Sequence, residues 1–163
     1  MYEKILVPLD GSALSERAIR HAQEIARGTR SEILLLQAVN FPMPVVPEAV
    51  LMPDSKWLDE AKKEAARYLE GIAAPLRQAG MRVRTLLDER PAADAILHVA
   101  TREGVDLIVM SPHGRGGLGR LLMGSVAERV FHATSRTVML VKPEPSYSCA
   151  TVAFVMVTGC KGT

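Results

Sequence analysis

The sequence predicts an α/β fold: one doubly wound, mainly parallel five-stranded sheet with helices on both faces. Two observations carry the prediction. Apolar runs alternate with amphipathic stretches in the order βαβαβαβαβ from residue 3 to residue 142, and such alternation folds as parallel strands joined by right-handed crossovers. The run EILLLQAV at 32–39 is apolar for most of its length, as expected of a strand covered on both sides. At 163 residues a single domain buries roughly two-thirds of the surface its unfolded chain exposes, so no disulfide or metal staple is required.

Residues 3–9 (EKILVPL) are the first strand. Asp10-Gly11-Ser12 then turns into a helix with Ser12 as N-cap, an apolar stripe of Leu14, Ala18, Ile19, Ala22, Ile25 and Ala26, and Gly28 as the stop. Residues 32–39 form the second strand. The segment 41–54 holds four of the ten prolines and reads as an irregular connection, with a flap over a pocket as the lesser alternative. Asp54 or Ser55 opens a long helix whose Leu58, Ala61, Ala65, Leu69, Ile72 and Leu76 recur at spacings of three and four, up to Gly80. Pro75 predicts a kink or an early end near Ala73. The third strand is 81–88. Pro91 stands at a first helical position, and that helix runs through Ile96, Leu97 and Ala100 to Gly104. The fourth strand is 106–111, a helix starts at Ser125, and 137–142 is the fifth strand.

The domain is complete at residue 143, and 144–163 is an extension. Its stretch Thr151–Thr158 is uncharged, β-branched and free of proline, the signature of an added edge strand in this subunit or a partner; a disordered tail is the alternative. Cys149 and Cys160 both lie in this extension, and two cysteines make no zinc set.

With 20 basic and 18 acidic residues, a net charge of +2 and 4% aromatics, no nucleic-acid partner is indicated. No run approaches the roughly 20 apolar residues of a membrane span. The amino terminus, MYEKILVPLDGS, lacks the basic and apolar regions of a secretory signal. A cytoplasmic location is the expectation.

The fourth strand leads into a loop with glycines at 114, 116, 117 and 119, followed by Gly124-Ser125 at the start of a helix. Bare backbone and a helix N-terminus together favour an anion, phosphate first. Gly114, Gly116 and Gly119 spell G-x-G-x-x-G, but that fingerprint belongs after the first strand with an acid about 20 positions on, and Met139 stands there. A Walker A loop needs a lysine before the hydroxyl residue, and Gly124 occupies that place. His113 beside Ser111 lacks an orienting acid, which favours hydrogen bonding or stacking over catalysis. In open parallel sheets ligands bind beyond the carboxyl ends of the strands where strand order reverses. Asp10 and the glycine loop face one crevice if strands one and four are neighbours.

The spacing of Gly114, nine residues and Gly124-Ser125, with the VPLDGS opening, resembles the universal stress protein family. That family's nucleotide signature is Gly, two residues, Gly, nine residues, Gly, then Ser or Thr. Ser111 stands where its first glycine belongs. The resemblance spans 1–143 and implies a Rossmann-like fold of the adenine nucleotide alpha hydrolase type that binds ATP with Mg2+ or Mn2+. It places Pro8, Leu9 and Asp10 along the adenine and ribose, Ala38 on the adenine, and Met110 and Ser111 on the ribose side. Gly114, Gly124, Ser125 and Val126 fall at the phosphates, with His113, Arg115 and Gly116 beside them. It further implies a homodimer through strand 137–142. The function expected is that of an ATP-binding regulatory protein without an identified catalytic residue. A receiver-like phospho-acceptor domain using Asp10, Asp88, Ser111 and Lys142 stays open as an alternative, as do slow ATP hydrolysis and a nucleotide-free dimerisation module.

Overall fold

A computed structural model describes residues 2–39, 55–112, 123–142 and 154–156. Its elements are β1 (Lys4–Leu9), α1 (Ala13–Thr29), β2 (Glu32–Ala38), α2 (Ser55–Gln78), β3 (Arg82–Asp88), α3 (Ala92–Arg102), β4 (Leu107–Met110), α4 (Ser125–Ala133), β5 (Thr137–Leu140) and β6 (Phe154–Met156). The strands form one sheet in the order β3-β2-β1-β4-β5-β6. The first five are mutually parallel, and β6 runs antiparallel to β5. The alternation of the sequence is thus an α/β sheet, doubly wound about the β1/β4 pair.

Each strand divides its side chains between two cores because successive Cβ atoms point to opposite faces. Ile5, Val7, Ile33, Leu35, Leu107 and Val109 pack on one side with Ala18, Ala22 and Ala26 of α1 and Leu69, Ala73 and Leu76 of α2. Leu6, Leu34, Leu36, Ile108 and Met110 pack on the other with Ile96 and Val99 of α3 and Val130 of α4. The alanines of α1 are what let that helix lie close to the sheet. Asp106 fastens the lower end of the central pair: its Oδ2 accepts from the N–H groups of Glu3 and Lys4 at 2.8 and 3.0 Å, and its own N–H donates to the Lys4 carbonyl.

Two helix ends differ from expectation. Gly28 lies inside α1, and the left-handed residue that ends the helix is Arg30, φ 58°. The Thr29 hydroxyl donates to the Ile25 carbonyl, and the Arg30 carbonyl accepts from the Arg82 guanidinium of β3, so one local and one long-range bond hold a turn that sequence assigns to glycine. In α2 the helix passes through Pro75 to Gln78. The ring sits on the exposed face in the last turn, where the one lost bond, to the Gly71 carbonyl, is open to water. The helix then stops as expected: Gly80, φ 81°, donates to Arg77 while Met81 donates to Leu76, which is the paired closure of a Schellman end. Pro91, expected as the first helical residue, is the N-cap of α3, and the helix starts one residue later, at Ala92. The fifth strand also ends earlier than 142, at Leu140, although Val141 N–H still reaches the Met110 carbonyl. Its outer edge, expected to face a second copy, carries β6.

Candidate functional site

Asp10 follows β1 directly, and Gly11 at φ 81° turns the chain into α1 through a left-handed conformation that side chains disfavour. Asp10 Oδ1 accepts from the Ser12 N–H at 3.0 Å and from the Ser12 hydroxyl at 2.6 Å. Ser12 Oγ in turn caps α1 by accepting from Ser15 N–H, and the Ser15 hydroxyl donates to the Ser12 carbonyl while accepting from Asp10 N–H. The carboxylate is therefore held in place by its own loop. Behind it, Tyr68 of α2 donates to Glu16 Oε1 at 2.9 Å. Burial, the bond to Glu16 and the negative charges of Glu16 and Asp10 all raise the Tyr68 pKa, so its hydroxyl stays protonated.

The crevice beside Asp10 has a cause in the sequence. Alternate residues of a parallel strand bond to alternate neighbours. The Glu3 carbonyl accepts from Glu32 of β2 and the Lys4 carbonyl from Asp106 at the foot of β4, so even positions of β1 face β4. Pro8 is even, and it has no N–H to give. Pairing of β1 with β2 runs up to Leu9 opposite Gln37, whereas pairing with β4 runs only to Leu6 opposite Ile108. The β1–β4 ladder thus ends short of the carboxyl ends of the two central strands, at the point where strand order reverses.

Across that gap, Met110 and Ser111 end β4, both nearly buried at 5% and 8% exposure. The chain leaves at Pro112 and returns at Gly124, whose N–H donates to the Pro112 carbonyl at 2.8 Å, closing the base of the glycine loop. Gly124 is the N-cap of α4 at φ −65° and ψ 151°, with no side chain capping the helix. The first intrahelical bond is from Glu128 N–H to the Gly124 carbonyl. This leaves the N–H groups of Ser125, Val126 and Ala127 as the donors of the first turn, and Ser125 and Val126 are exposed there. Gly124's own N–H is committed to Pro112, and its dihedrals suit any residue, so what sets it apart at the helix start is the absence of a side chain.

Pro8, Leu9, Asp10, Met110, Ser111, Gly124, Ser125 and Val126 thus lie at the carboxyl ends of β1 and β4 or at the start of α4, as the strand order requires. Ala38 ends the adjoining β2. Beside it Gln37 Oε1 is buried and has no hydrogen-bond partner among the described residues. His113, Gly114, Arg115 and Gly116 lie outside the described residues. Ser15, whose hydroxyl accepts from the Asp10 N–H, and the Glu16–Tyr68 pair were missed. Ser15 had a faint signal, since it shares the helical face of Ala18 and Ala22.

The receiver arrangement is excluded by topology. That plan needs strand three beside strand one, but β2 stands between β1 and β3, placing Asp10 and Asp88 two strand spacings, about 10 Å, apart. Asp88 is instead a structural carboxylate: it accepts from Arg90 N–H at 2.9 Å and pairs with the Arg90 guanidinium at 2.7 Å. Among the described residues no helix is long and apolar enough to cross a membrane.

The sequence model of the universal stress protein family matches residues 1–142. The chain is 34% identical over 144 residues to a universal stress protein of Methanothermobacter thermautotrophicus, covering 87% of this chain and 97% of the relative. It is 33% identical over 145 residues to universal stress protein MJ0531 of Methanocaldococcus jannaschii, covering 87% and 83%. The solved structure of MJ0577 superposes with a TM-score of 0.74 at 30% identity over 90% of this chain and 99% of that one. With a family model matched across both central strands and both loops of the crevice, this chain belongs to the universal stress protein family.

Proposed function

We propose that the protein binds ATP in the crevice between β1 and β4 and acts as a nucleotide-responsive regulatory domain. The observation that carries the reading is the juxtaposition of a fixed carboxylate, Asp10, with a helix start that no side chain caps, across the point where Pro8 ends the β1–β4 ladder. A carboxylate accepts from ribose hydroxyls, and exposed N–H groups at a helix start donate to phosphate oxygens. α1, by contrast, is capped by Ser12 and offers no such site. Ala38, at the end of β2, would meet the base. Mg2+ or Mn2+ would be carried chiefly by the phosphates, which is how small hard cations enter nucleotide sites. Among the described residues there is no group of three acidic, His or Cys side chains to hold a metal alone.

No general base is identified, so binding, with no turnover, is the function assigned. A cytoplasmic setting and self-association through β5 complete the reading, the latter only while the β5 edge is uncovered. Denaturing purified protein and identifying released nucleotide by mass spectrometry, followed by titration with ATP and Mg2+, tests it; no released nucleotide and no heat of binding would sink it. Gly124→Val is expected to abolish ATP binding with the melting temperature unchanged. Its φ and ψ admit valine, and only the space beside the first turn of α4 is taken.

A further inference from the structure

The sheet has two edges, and they are protected in different ways. At one edge β3 reads RVRTLLD, with Arg82 and Arg84 exposed; Arg84 pairs with Glu103 at 3.1 Å. Charges of this kind discourage another strand from adding. At the other side β5 reads TVML and has no charge. Its Val138 is buried in one core and its Met139 packs against the other, so its side chains are committed while its backbone is left to be covered. Cover is supplied by β6: Phe154, Val155 and Met156 lie opposite Leu140, Met139 and Val138.

Residues 141–153 separate β6 from β5 in the sequence, a connection longer than the two to five residues of a tight hairpin. The best replacement is the same strand of another molecule, since an antiparallel pair of identical edges is self-complementary about a two-fold axis.

We propose that β6 is a cap seated within its own chain that closes the β5 edge against β5 of a second copy. The tail thereby sets whether the protein self-associates. This does not depend on nucleotide binding, and its test reads mass alone.

Light scattering after size exclusion, at high protein concentration, compares the full chain with two variants that unseat β6. Val155→Pro places a ring and a missing donor in the middle of the strand; Phe154→Asp with Met156→Asp sets like charges along it without altering the backbone. The parent is expected to run as a monomer and the variants to shift toward twice its mass, with unchanged circular dichroism. If the proline variant does not fold, the aspartate variant decides alone. In a third protein, Met139→Cys and Val155→Cys, which face each other, are combined with Cys149→Ser and Cys160→Ser. Oxidation is expected to give an intrachain disulfide and a monomer at every concentration. Equal masses in parent and folded variants would overturn the proposal, as would a cross-link that forms only between chains.

Discussion

At the scale of single residues, the carboxylates of this chain divide by what surrounds them. Asp10 is held by Ser12 at the crevice, Asp88 is paired with Arg90, and Asp106 is half-buried at the opposite end of the sheet. Burial alone pushes the Asp106 carboxyl up, but the N–H groups of Lys4 and Glu3 and the positive charge of Arg136 more than reverse it, leaving its pKa below the ordinary value of 3.8. A carboxylate depressed on folding stabilises the native state fully above its unfolded pKa, and that contribution is lost as pH falls through the folded one. Asp106→Asn keeps the shape and removes the charge. It is expected to cost about 1–2 kcal/mol at neutral pH, the difference between charged and neutral acceptors. Urea titrations of parent and variant should converge as pH drops below 4; a gap that stays constant down to acid would show that charge is not what Asp106 contributes.

At the scale of elements, the same helix can carry both a tolerated breaker and a removable weakness. α2 keeps its course through Pro75 because the ring lies at the exposed end of the helix. Gly71, one turn earlier, is exposed and has open space around an added Cβ. Gly71→Ala should therefore stabilise the protein by about 0.5–1 kcal/mol, from reduced backbone entropy in the unfolded chain. Thermal melts read this directly, and a fall in melting temperature would mean that a close approach at Gly71 matters. Strand existence and order were legible because apolar runs and their alternation are local signals. The helix end at Thr29 was not, because the bond from Arg82 to the Arg30 carbonyl joins residues far apart in sequence. The candidate site was legible in Asp10, Gly124 and Ser125, which sit in short motifs. What surrounds Asp10 was not: Tyr68 reaches Glu16 of α1 across 52 positions, and the role of Pro8 depends on which neighbour each β1 residue faces.

At the scale of the whole molecule, the doubly wound order decides what can meet. It places β1 beside β4 and puts β2 between Asp10 and Asp88, so under the proposed function the two ends of a nucleotide would meet different halves of the chain: sugar and base the β1 and β2 ends, phosphate the start of α4. The halves can be separated by pairing protein variants with ligand variants. If Asp10 accepts from the ribose hydroxyls, Asp10→Ala should weaken ATP binding about 10–100-fold, the equivalent of a charged hydrogen bond. The same variant should bind 2′,3′-dideoxy-ATP as the parent does, since the group that Asp10 contacts is already gone. Ser125→Ala should weaken ATP and its dideoxy form by one common factor and leave adenosine unaffected. Calorimetric titration of the three proteins with the three ligands completes both cycles. Additive losses for Asp10→Ala and the missing hydroxyls would place the ribose elsewhere, even with ATP binding intact, because only groups in contact give a non-zero coupling.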